Sequence, residues 1–306
     1  MLIVRRALTL LASAALSLSL AAPAFGAVVS TGLPAWACAP DASSGAARGI
    51  ADSRGVVREK PLDQVATALP ARAKGKAPAG FSVTVPVYFH VITDGARGAL
   101  SDSDIRAQMR VLNVTYGGGE GGDNTGFTFA LAGVTRTNNA KWFEMRGGGV
   151  ENEMKKALKR GGDESLNVYT NTANVYLGWA YYPSITDTNQ AHLDGIVLDW
   201  ETLPGVSDAY AGAYDLGETL THEAGHWLNL AHTFDGGCKE PGDFVDDTPA
   251  MSVPTSGCPI GKDTCPAPGL DPIHNYMDYS FDTCYTEFTA GQTDRMKQMW
   301  TAYRAG

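Results

Sequence analysis

The chain has 306 residues, 44% of them hydrophobic and 19% charged, which is ample for one large or two modest packed domains and does not suggest disorder. With 24 basic against 33 acidic residues the formal net charge is −9, which argues against a nucleic-acid-binding footprint. The 35 glycines point to a loop-rich fold.

Residues 1–26 read as a secretory signal. Arg5 and Arg6 provide the positive start, an apolar stretch follows, and Ala22-Pro23-Ala24 or Ala24-Phe25-Gly26 offers a small-residue cleavage site. The apolar stretch is too short for the roughly 20 residues a spanning helix needs, so the product is expected to be secreted and free of membrane after signal cleavage. Residues 27–79, rich in Ala, Gly, Pro, Lys and Arg, read as a pro-region or linker. Ala71-Arg72-Ala73-Lys74-Gly75-Lys76 looks exposed and open to nicking; a plain N-terminal arm is the alternative.

From Phe81 the pattern changes. Residues 82–92 are β-rich and apolar, a buried strand that Pro86 places near an edge or at the start of a new pairing, and His90 on it reads as a core histidine. Ser101 and Asp104 cap a helix over residues 105–116, and the glycine-rich run at 117–126 is a loop. Residues 127–134 form a strand, 151–160 a short exposed helix and 166–170 another strand. Leu177 to Pro183 reads as an aromatic loop, and 192–199 as a strand that either lines the cleft rim or lies inside the sheet. This order implies a mixed sheet with helices packed on it.

The chemistry concentrates at His222-Glu223-Ala224-Gly225-His226. Histidines four apart on a helix stand one turn above each other, so both can meet one tetrahedral zinc at about 2.0–2.1 Å. The helix is expected to open near Asp215, with Leu216, Leu220 and Leu228 toward the core. Asn229 tolerates the left-handed conformation, so the chain can turn there and deliver His232 as a third ligand. Three ligands leave a position for water, as in catalytic rather than structural zinc, and Glu223 stands beside the metal as a general base.

Farther on, Asp243, Asp246 and Asp247 make an oxygen-rich loop that could serve a hard cation, although from the residues alone a solvated acidic turn is the favoured reading. His274-Asn275-Tyr276-Met277-Asp278-Tyr279 is a tight polar turn, and Thr289-Ala290-Gly291-Gln292 opens the last helix with a capping box. Cys238, Cys258, Cys265 and Cys284 can pair in three ways. Cys38 is left over: a latency switch at the open zinc position, a free thiol or an intermolecular bridge.

The zinc motif with its third histidine, the Gly242–Pro249 run and the turn around Met277 together resemble the pappalysin (cytophagalysin) branch of the metzincin metalloproteases, over roughly residues 80–306. Asn229 stands where that family usually has glycine. The resemblance implies an α+β metzincin fold: an upper subdomain (80–232) with a mostly parallel five-stranded sheet, and a smaller irregular lower subdomain (233–306). It also implies disulfides Cys238–Cys265 and Cys258–Cys284, calcium ligands at Asp243, Val245 and Thr248, Met277 as the Met-turn methionine, and Tyr279 directed at the transition-state oxyanion.

The expected activity is that of a secreted zinc endopeptidase acting on protein or peptide substrates, with zinc-activated water and Glu223 as base. The rivals are a zinc-bearing binding module without catalysis, and a hydrolase of non-peptide bonds. Oligomeric state is not legible.

Overall fold

The computed structural model describes residues 57–60, 66, 68–73 and 80–305. The expected signal (1–26) and Cys38 lie outside them. In chain order the elements are β1 (Val57–Glu59), β2 (Val83–Thr93), α1 (Asp102–Tyr116), β3 (Phe127–Asn138), α2 (Ala140–Glu144), α3 (Val150–Leu158), β4 (Leu166–Asn171), β5 (Tyr176–Ala180), β6 (Ile196–Asp199), α4 (Glu218–Trp227) and α5 (Ala290–Tyr303).

The strands form one sheet in the order β1-β5-β6-β4-β2-β3. All neighbours are parallel except β5 and β6. The five strands expected are β5 to β3, and the sixth, β1, comes from the segment read as a linker. Strand alternation sends Val85, Val87, Phe89 and Val91 of β2 into a core shared with Ile105 and Leu112 of α1 and Leu220, Ala224 and Trp227 of α4. Ile92, Tyr169 and Val197 join Phe143 of α2 and Met154 and Leu158 of α3 in a second core. Helices therefore cover both faces, as a mostly parallel sheet requires.

Of the two readings of Pro86, the start of a new pairing holds: β2 pairs with β3 throughout, but β4 joins only from Val87 to Val91, so proline sits where one flank is still open. Three local expectations are corrected. The aromatic stretch is strand β5, and β6 is internal, so the rim strand of the five is β5 rather than residues 195–198. Helix α4 opens at Glu218 after Gly217, whose φ of +100° suits glycine, and Leu216 before it is 41% exposed rather than buried. Helix α3 is not fully exposed: Lys155 is buried, its ammonium 3.0 Å from Glu151 and donating to Leu193 O at 2.7 Å.

After His232 the chain is mostly turns. Cys238 is joined to Cys265 and Cys258 to Cys284, the pairing the resemblance implies. Helix α5, opened by the Thr289/Gln292 capping box, clamps the end of α4. Arg304 donates from Nη2 to Trp227 O at 2.9 Å and from Nε at 3.1 Å, while Arg295 Nε donates to Asn229 O at 2.9 Å. Cations here complement the negative end of the helix.

Candidate active site

Helix α4 carries His222 and His226 on one face and stops two residues after Gly225. Its end is a Schellman turn: Leu230 N–H donates to Gly225 O at 2.9 Å and Asn229 N–H to His226 O at 2.8 Å, with Asn229 at φ +75°. The predicted bend is thus at Asn229, and it brings His232 back beside the helix. His226 Nε2 lies 3.1 Å from Nε2 of both His222 and His232.

The outer ring nitrogens are held by the fold. His222 Nδ1 donates to Tyr276 O at 2.5 Å and His226 Nδ1 to Leu230 O at 2.7 Å, while His232 Nδ1 faces Asp235 Oδ2 at 3.6 Å. Spending Nδ1 protons on carbonyls leaves Nε2 lone pairs pointing inward. Burial lowers the His222 imidazole to about 3, the nearby Glu59 carboxylate only partly opposing it, so the ring is neutral. His232, though burial works against it, is pushed up to about 10 by the carboxylates of Glu59 and Asp235.

Glu59 completes the cluster. Its Oε2 lies 2.9 Å from His232 Nε2, its Oε1 3.2 Å from His226 Nε2, and Oε1 also contacts His222 Nε2. Lone pairs of two carbonyl-held imidazoles facing a carboxylate repel unless a cation lies between them. Three imidazole nitrogens and a carboxylate oxygen converging on one point are the donor set zinc takes, so the residues fit a metal.

Glu223 is fully buried, and neither carboxylate oxygen has a hydrogen-bond partner. It packs against β5 at Gly178, where a Cβ would come within 3.1 Å of its Cγ and Oε1. Burial, then the Glu59 charge, raises its pKa well above the usual carboxylate range. The Tyr279 ring centre is 4.9 Å from that of His232 and 5.7 Å from that of His222, and its buried hydroxyl has no partner.

Met277 lies beneath the histidines, against Gly225. Its turn is fixed by a reciprocal amide pair: Asn275 Nδ2 donates to Gln292 Oε1 at 2.8 Å, and Gln292 Nε2 to Asn275 Oδ1 at 2.9 Å. Gln292 was legible only as a capping residue. In the Asp243 loop, Val245 N–H donates to Asp243 Oδ1 at 3.0 Å, and Thr248 Oγ1 lies 2.6 Å from Asp243 Oδ2 and 2.8 Å from Val245 O. The three expected calcium ligands share one loop and satisfy one another.

Sequence reasoning missed Arg58 and Glu59. Their only signal was a β-like Val56-Val57 before a charged triplet. The Arg58 guanidinium is buried 4.7 Å over the Tyr214 ring and donates to Tyr285 OH at 3.3 Å. Asp282 and Glu218 stand nearby, pushed up to about 6 and about 9, both chiefly by burial.

Comparison with known proteins agrees with this geometry. The family described as pregnancy-associated plasma protein-A, a peptidase family, matches residues 166–301. Extracellular metalloproteases of Arthroderma benhamiae and Pyricularia oryzae are each 46% identical over 231 residues, covering 74% of this chain and 74% and 77% of theirs. Mature mirolysin of Tannerella forsythia, solved with a cleaved peptide, superposes with a TM-score of 0.62 at 28% identity over 74% of this chain and 97% of that one. A promirolysin variant superposes at 0.65 and 28%, over 75% and 83%.

Fold and site together define a metzincin-type zinc metalloendopeptidase. The chain belongs to the pregnancy-associated plasma protein-A, or pappalysin, family. Among the described residues no helix is long and apolar enough to cross a membrane.

Proposed function

We propose that the chain is exported and cuts internal peptide bonds of proteins, with His222, His226 and His232 holding zinc and Glu223 acting as general base. The observation that carries this is a buried carboxylate with two unpartnered oxygens beside three inward-facing imidazoles. Zinc, when bound, supplies a Lewis acid that polarises the scissile carbonyl and acidifies water. Glu223 takes the proton from the attacking water and returns it to the leaving nitrogen, for which an elevated proton affinity is suited. Tyr279 OH, with no competing partner, donates to the developing oxyanion. Extended substrate pairs with β5 once its outer edge is free.

In this reading residues 1–26 are the signal, 27–79 the pro-region and 80–306 the catalytic domain, its halves meeting after His232. Asp243, Val245 and Thr248 are proposed calcium ligands, which would require Thr248 to release Asp243. The named relatives are extracellular metalloproteases, which supports secretion.

Glu223→Gln keeps the shape and removes the base. The purified variant should retain one zinc by atomic absorption and lose casein hydrolysis by at least 1,000-fold. A variant that still digests casein near the wild-type rate overturns the mechanism; loss of zinc along with activity overturns the assignment of Glu223 as base rather than ligand.

A further inference from the structure

Residues 57–60, ahead of the expected catalytic domain, are seated in the cleft. Strand β1 pairs in parallel with β5, Val57 opposite Tyr176 and Glu59 opposite Gly178, covering the outer edge of the rim strand. Alternate side chains of a strand point to opposite sides, and here both sides are occupied. Arg58, 2% exposed, enters the aromatic pocket of Tyr214 and Tyr285, while Glu59, 6% exposed, reaches all three imidazoles. Lys60 closes the strand at Glu151, 3.0 Å away. Farther along, Ala66 packs with Tyr182 and Ala231, and Arg72 lies 3.9 Å over the Tyr303 ring.

This is an expensive arrangement for a linker. A carboxylate and a guanidinium are buried side by side from a segment with a three-residue parallel ladder, the weaker kind of strand pairing. Their partners are the histidines that fit the metal and the wall beside them.

We propose that Glu59 is the blocking residue of a latent form: while residues 57–73 remain attached, its carboxylate holds the place at the three imidazoles that water and a scissile carbonyl need, and β1 covers the β5 edge that substrate would pair with. This rests on the metalloprotease reading above. Attachment is what makes so short a strand effective, because a tethered ligand acts at an effective concentration in the mM range. Cutting the chain anywhere in residues 61–79 turns β1 into a free peptide and releases the cleft on dilution. Arg58 and Lys60 are positioning residues that fix the register in which Glu59 meets the histidines.

The test uses full-length chains loaded with cobalt(II) in place of zinc: wild type, Glu59→Ala, Glu59→Gln and Cys38→Ser. Acetohydroxamate is titrated into each, and access to the metal is read from the visible absorption band. Binding should tighten at least ten-fold in Glu59→Ala and at least three-fold in the isosteric Glu59→Gln, and stay within two-fold of wild type in Cys38→Ser. Unchanged binding in Glu59→Gln, or tightening in Cys38→Ser instead, overturns the proposal; Glu59→Gln decides if the alanine variant does not fold. Gelatin hydrolysis before and after limited trypsin treatment separates the two readings. Wild type inactive even after trimming sinks the protease assignment, whereas trimmed wild type active beside untrimmed Glu59→Ala as silent as untrimmed wild type sinks the block alone.

Discussion

The α-carbon of Gly225 faces Met277 so closely that a methyl group there would overlap the methionine sulfur, with Met277 Cε at 3.2 Å and Leu230 Cδ1 at 3.5 Å behind it. Gly225 is helical and has no need of unusual dihedrals. It is glycine because the floor under the histidines touches the helix backbone. Gly225→Ala should therefore destabilise by about 1–3 kcal/mol through overpacking and weaken zinc retention. Urea unfolding of Gly225→Ala, Met277→Ala and the double variant checks it: the double change should cost less than the sum of the singles. Additive costs would mean the two residues do not press on each other.

Asn229 supplies the left-handed residue of the helix stop at φ +75°. Asn229→Gly should leave stability within about 0.5 kcal/mol or raise it, since glycine takes this conformation freely, whereas Asn229→Ala should cost about 1 kcal/mol. Thermal unfolding ranks the three. Zinc affinity should follow the same order, because the turn sets where His232 returns.

Arg304 is 1% exposed and donates to both oxygens of fully buried Asp194, from Nη2 to Oδ1 at 3.0 Å and from Nη1 to Oδ2 at 3.1 Å, besides capping Trp227 O. Removing one partner strands the other charge in the interior. Arg304→Ala should cost about 3–5 kcal/mol, read as a fall in urea midpoint. Arg304→Lys should recover only part of it, a single ammonium being unable to match the bidentate geometry.

His90 is neutral in the folded protein: burial lowers it to about 4. Its Nε2–H donates to Asn167 Oδ1 at 2.9 Å and its Nδ1 pairs with Thr135 Oγ1 at 2.8 Å. Between about 6.5 and 4 the unfolded imidazole binds a proton that the folded one refuses, so stability falls as pH falls through this window and the loss is complete below about 4. The contribution is on the order of 2–3 kcal/mol. Urea midpoints at pH 7 and 4.5 should converge in His90→Gln relative to wild type. An equal pH slope in both proteins would place the acid sensitivity elsewhere.

Contacts set by local chemistry were legible in the sequence. Ser101 with Asp104, Thr289 with Gln292, and Asn229 as the helix stop each follow from bonds made within a few residues, and the histidine spacing follows from helical pitch. Sheet neighbours were not. Whether β5 or β6 forms the rim depends on an antiparallel pairing that periodicity does not encode, and a strand flanked by aromatics reads much like an apolar loop. Arg58 and Glu59 were hidden for a different reason. In composition they belong to a charged, proline-bearing segment, and only partners more than 100 residues away make their burial tolerable. Gln292 had two tasks, and a capping pattern discloses only one.

The bridge from Cys258 ends at Cys284, which stands between Asp282 and Tyr285, two groups that surround the Arg58 guanidinium. One wall of the cleft is therefore tied down by a bond that only an oxidising environment makes and keeps. Without that bond, the loop carrying Asp282 and Tyr285 would lose its covalent tether to Cys258, so reducing conditions should loosen this wall first.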